Sequence, residues 1–97
     1  MFIGVGYVTI QVFEAHSLKE KRRVVKSLIE RARHRYNAGI AEVDYQDTWQ
    51  MAGIAITCVS SSAQHADQMV AEILRFIEAN VAFGSVADIH TEIIPFE

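Results

Sequence analysis

The apolar positions of this chain follow two different periods. Residues 2–13, Phe-Ile-Gly-Val-Gly-Tyr-Val-Thr-Ile-Gln-Val-Phe, are rich in β-branched and aromatic types and read as a long strand. Val8, Ile10 and Val12 share one face of it; Tyr7, Thr9 and Gln11 share the other. Gly4 and Gly6 fall on the Val8 face, where they admit a close helix or mark a bulge. From Leu18 the period becomes helical. Leu18, Val25, Leu28, Ile29, Ala32 and Tyr36 recur as one buried stripe. Ser17-Leu18-Lys19-Glu20 opens this helix as a capping box, in which the Ser17 hydroxyl accepts from the Glu20 amide and the Glu20 carboxylate reaches back. The helix is expected to run to about Tyr36, with Asn37 and Gly39 as stop residues.

Two further strands are expected at 40–46 and 50–60, joined by Asp47-Thr48-Trp49. In the first, Ala41, Val43 and Tyr45 alternate with Glu42 and Asp44, so it is half exposed. The second is apolar almost throughout and therefore central. Ser61-Ser62-Ala63-Gln64 is a second capping signal, and Ala66, Met69, Val70, Ile73, Leu74 and Ile77 mark the helix after it. Residues 80–85 read as a loop, and 86–94 as a last strand whose Pro95 suits an edge. The order is β-α-β-β-α-β. Two right-handed βαβ units joined by a hairpin give a single α+β domain with a four-stranded antiparallel sheet, order 4-1-3-2, and both helices on one face: the ferredoxin-like fold.

Length and composition agree. The chain has 97 residues, room for one domain spanning 1–97, and 51% of them are apolar, which argues against disorder. One cysteine, Cys58, excludes an internal disulfide and fits a reducing, cytoplasmic compartment. No cationic segment precedes the first apolar run, so a signal peptide is not expected, and no apolar run is long enough to cross a bilayer.

Charge changes the picture more. The net charge is -3, but eight of the nine Lys and Arg residues lie between Lys19 and Arg35, where only Glu20 and Glu30 oppose them. At about 100° per residue, Lys19, Arg22, Arg23, Lys26 and Arg33 fall in one sector flanking the apolar stripe, and Lys21, Arg31 and Arg35 on the opposite flank. Cations on both flanks of a helix can bridge phosphates, each neutralised phosphate adding a salt-dependent increment to affinity. The helix is therefore either an RNA-backbone contact or a solvated face paired with acids elsewhere. Cations so near a helix N-terminus run against the macrodipole, a small cost that favours function.

The most distinctive residues are Ser17-Leu18-Lys19-Glu20-Lys21-Arg22-Arg23 together with Ala41-Glu42-Val43-Asp44-Tyr45-Gln46-Asp47-Thr48-Trp49-Gln50. The pair resembles the YlxP-like family (domain of unknown function 503), and the likeness extends over essentially the whole chain. The resemblance implies a bacterial protein with a ferredoxin-like fold. Genes of that family often sit beside those of translation initiation and ribosome-maturation factors, including ribosome-binding factor A, which implies a role around the ribosome. It carries no catalytic residue over to this chain, and Tyr45 stands where members often have His.

Other chemistries fare less well. The two central strands lack the base-stacking aromatics and the Lys/Arg-Gly-aromatic signature of an RNA-recognition motif, and Glu42, Asp44, Asp88 and Glu92 would repel phosphates from the sheet. RNA is therefore expected on the first helix. Nothing points to DNA specificity. Glu42, Asp44, Asp88, His90 and Glu92 are metal-ligand types, but the order 4-1-3-2 puts them on opposite edges, roughly 14 Å apart. Cys58 should point into the core, where a thiol is inert. His16, His34, His65 and His90 are scattered, although His16 could meet a phosphate ahead of the capped helix. Gly4-Val5-Gly6 opens no helix, so it is not a nucleotide loop. No enzyme, cofactor or metal is expected. Trp49 is either a partner anchor or folded over the core edge, with Asp47 accepting turn amides. Ile3, Val5, Tyr7, Met51 and Val59 should project from the open sheet face, which either a homodimer or, within the monomer, long loops or Phe96 could cover.

Overall fold

The computed structural model describes residues 1–97. The elements are β1 (Phe2–Val12), α1 (Leu18–Arg35), β2 (Gly39–Asp44), β3 (Met51–Ser60), α2 (Ala63–Asn80) and β4 (Gly84–Pro95). The strands form one antiparallel sheet in the order β2-β3-β1-β4, the expected order read from its other edge. Both central strands bury their even-numbered residues under the helices: Gly6, Val8 and Ile10 of β1 lie beside Ile56, Ile54 and Ala52 of β3. This is the ferredoxin-like architecture read from the element order.

Local chemistry explains how the elements begin and end. The Glu20 N–H donates to Ser17 Oγ at 3.2 Å, and the Glu20 carboxylate accepts from the His16 N–H at 2.8 Å, one residue before the cap. The second capping signal acts through Ser62 rather than a Ser61–Gln64 box: Ser62 Oγ accepts from the His65 N–H at 3.2 Å, with no side chain reaching back as Glu20 does. The end of α1 differs from expectation. Neither Asn37 nor Gly39 takes a left-handed conformation; instead Tyr36 turns extended while its N–H still donates to the Ala32 carbonyl. The expected 80–85 loop is shorter, because α2 continues through Asn80 and β4 starts at Gly84. Val81 and Phe83 in that connection are buried and close the end of the core.

Gly4 serves the close approach rather than a bulge. A Cβ there would stand 2.8 Å from Val70 Cγ2 and 3.1 Å from the Ala66 carbonyl of α2. The bulge in this part of the sheet lies instead where β1 pairs with β4, between Thr9 and Ile10. Cys58 lies in the core as expected. Its thiol approaches the Ala66 carbonyl at 3.7 Å, and burial pushes it above its ordinary range, which suppresses the reactive thiolate. No helix is long and apolar enough to cross a membrane.

Candidate functional site at the first helix and the hairpin packed on it

The two distinctive sequence stretches, 17–23 and 41–50, meet in space. The meeting point is the largest departure from the sequence reading. Lys21, expected on an exposed flank with Arg31 and Arg35, is 0% exposed. Its angular position places it between Leu28 and Ala32, inside the buried stripe, while Leu18 and Tyr36 are only half-buried. The Lys21 ammonium stands 2.6 Å from Glu42 Oε2 and donates to the Tyr45 carbonyl at 2.8 Å. The contact with Oε2 is an ion pair that falls short of a directed hydrogen bond. A buried ammonium requires such compensation, and here β2 and the turn after it provide it.

The acids of β2 are therefore split rather than ranged along one outer edge. Glu42 shares the inward face with Ile40, as its pairing opposite Ile54 requires. A register shift between Glu42 and Asp44 then turns Asp44 to the open face. There Asp44 Oδ2 accepts from the Tyr7 hydroxyl at 2.7 Å. The bond passes over Gly53 of β3, where a Cβ would meet the Tyr7 hydroxyl at 2.6 Å and Asp44 Cβ at 2.7 Å. Accepting that hydrogen bond, Asp44 holds the Tyr7 phenol above its ordinary value, with desolvation adding to the effect.

The turn is closed by backbone: the Thr48 N–H donates to the Tyr45 carbonyl at 3.0 Å, and Tyr45 takes a left-handed φ of 62°. Asp47 does not accept turn amides as expected. Its carboxylate, 96% exposed, faces outward to Arg22 at 3.5 Å. Trp49 retains 39% of its surface and lines a cleft with the end of β1.

All five candidate cations are exposed, but they are not equivalent. Arg22, Lys26 and Arg33 line a shallow groove between α1 and β2. Arg23 instead flanks the opposite side, with Arg31, Glu14 and Asn80. Lys26 pairs loosely with Glu30 at 3.9 Å, and Lys19 has no ion pair. Arg33 donates through Nε to the Ile40 carbonyl at 2.9 Å, which leaves its terminal nitrogens for any other partner. Of the cations expected on the opposite flank, Arg35 lies over the Tyr36 and Phe76 rings at 5.8 and 5.5 Å, bridging the helices.

The acids and His90 occupy the positions that the strand order implied. Asp88, His90 and Glu92 lie on β4 at the far edge from Glu42 and Asp44, and His90 pairs with Asp88 at 2.9 Å. No three His, Cys, Asp or Glu side chains converge as a metal site. The missed feature of the site, Lys21–Glu42, left two signals. Lys21 falls within the apolar arc of its helix, and Glu42 shares strand parity with the apolar Ile40.

Residues 3–91 match the profile of a family described as "Protein of unknown function (DUF503)". The chain is 38% identical over 77 residues to the uncharacterized protein YlxP of Bacillus subtilis (strain 168), covering 79% of this chain and 84% of the relative. Among solved structures, a de novo designed protein with a ferredoxin fold aligns with a TM-score of 0.58 at 14% identity, over 99% of this chain and 87% of the designed one. That likeness concerns the fold alone.

Proposed function

The chain belongs to the DUF503 family of proteins of unknown function, and from that premise we propose that it is a non-enzymatic RNA- or ribosome-associated factor gripping phosphates through α1. One observation carries the reading: Lys19, Arg22, Arg23 and Lys26, all exposed within the first turns of one helix, face only two loose ion pairs. Exposed pairs of this kind contribute at most about 1 kcal/mol, so a phosphate can displace Asp47 or Glu30 at little cost. Outside residues 19–35 the chain has one cation against ten acids, so its positive charge is concentrated on α1, which would orient that helix toward a polyanion. The ribosomal gene neighbourhood described for the family supports the same partner class.

The test is co-sedimentation with purified ribosomal subunits. Four phosphate contacts predict a loss of affinity of about 50-fold between roughly 50 and 200 mM salt. The triple variant Arg22→Glu, Arg23→Glu, Lys26→Glu should lose binding while keeping its circular dichroism and melting temperature. Equal sedimentation of the variant, or none by the natural chain at either salt, would overturn the reading.

A second reading, a homodimeric interaction module, has its own support in the uncovered sheet face. Val59 is 64% exposed there, and Phe96, at 53%, does not close over it.

A further inference from the structure

We propose that the cleft between the end of β1 and the β2–β3 hairpin receives an unpaired RNA base, with the adjoining phosphates on Lys19 and Arg22. The inference rests on the RNA-binding reading above and deepens it by naming the substrate class: single-stranded rather than duplex RNA.

The cleft encloses about 470 Å³, a volume typical of small-ligand sites. Val12 and Ala15 form a buried apolar floor, and Phe13, His16, Trp49 and the two glutamines Gln11 and Gln50 contribute to its walls. Phe13 and Trp49 are 59% and 39% exposed, and neither joins the aromatic pair of the core, which is Tyr36 with Phe76. Two large rings left open at the mouth of one cleft are the residue types on which single-stranded bases stack. The side-chain amides of Gln11 and Gln50, the Trp49 indole N–H and the His16 ring make no hydrogen bond within the fold. They supply donors and acceptors suited to the edge of a base. A stacked duplex cannot present a base face to such a cleft, whereas a splayed single strand can.

The phosphate positions follow from what is already occupied. At the start of α1 Ser17 Oγ takes the Glu20 amide, and the Glu20 carboxylate, held by the His16 amide, sets a negative charge against an anion there. Side-chain cations are the stronger support for an adjoining phosphate. Lys19 stands in the first turn, three residues beyond His16. Arg22 already reaches the hairpin at Asp47, two residues before Trp49.

Trp49 is the only tryptophan, so its emission reports the cleft directly. The purified chain would be titrated at low salt with a uridine decamer, an adenosine decamer, a duplex of equal length and an abasic ribose-phosphate decamer. Binding of the single strands should quench Trp49. Trp49→Ala, which has no tryptophan emission and is followed instead by the anisotropy of end-labelled strands, should weaken them about tenfold, leave duplex and abasic binding unchanged, and be rescued by Trp49→Phe. Phe13→Ala gives a second, independent variant should Trp49→Ala fold poorly. Salt-sensitive RNA binding with unchanged Trp49 emission, or equal affinity for the abasic strand, would overturn the base site and leave the phosphate reading intact. No binding of any of the four probes would overturn both.

Discussion

Lys21 shows how one residue can reverse its apparent role. In sequence it is one more cation in a basic run; in the fold it is the buried pin that fastens the β2–β3 hairpin to α1. Removing one partner of a buried pair leaves the other uncompensated, which costs about 3–5 kcal/mol. Glu42 keeps some access to water, 16% of its side chain, so the lower end applies. Lys21→Met should destabilise the chain by about 3 kcal/mol in urea unfolding, and Lys21→Met with Glu42→Leu should recover most of that loss. If the double variant is no more stable than the single one, the pin is not the reason Lys21 is buried. The capping box, by contrast, was legible residue by residue, because it needs only local spacing.

At the scale of elements, the sheet is tied across its width by Tyr7 of β1 and Asp44 of β2, which meet over Gly53 of the strand between them. The bond has a pH signature. The folded phenol titrates above its ordinary value of 10.0, so the neutral form is favoured by the fold. Its contribution to stability is therefore fully present below pH 10 and is lost as pH rises through the raised folded value. Urea midpoints followed from pH 8 to pH 11.5 should fall more steeply for the natural chain than for Tyr7→Phe. Parallel curves would show that the contact adds no linked stability. Strand parity made Tyr7's face legible in advance. The register shift that brings Asp44 onto that face was not, because a bulge is settled by pairing between strands rather than by alternation along one.

For the whole molecule, the open question of partners is one of surface. Three strands of 10 to 12 residues draw the chain out to 44 Å in its longest dimension, and one side of their sheet carries no helix. Ile3 and Val5 are half-buried there, with Val59 and Ile94 more open beside them. If a second copy covers this face, equilibrium sedimentation should show a dimer that persists at high salt, and Val59→Lys should dissociate it without unfolding. A monomer at about 100 µM would sink the homodimer reading. Such a dimer would leave the outer side of α1 free, since the helices lie on the other face, so the two readings can be tested separately.

The division between sequence and tertiary structure has a physical basis. Element order, both caps, the two faces of β1 and β3 and the inert core thiol all follow from short-range periodicity and spacing, so the amino-acid sequence alone determined them. The fold topology followed as well, because chain connectivity and crossover handedness leave few alternatives. What only the tertiary structure decided are pairings between residues distant in the chain: Lys21 with Glu42, Tyr7 with Asp44, Arg22 with Asp47. A charged side chain reads the same in sequence whether solvent or a partner on another strand compensates it. That choice depends on which surfaces the packed helix and sheet bring together and how much water they exclude.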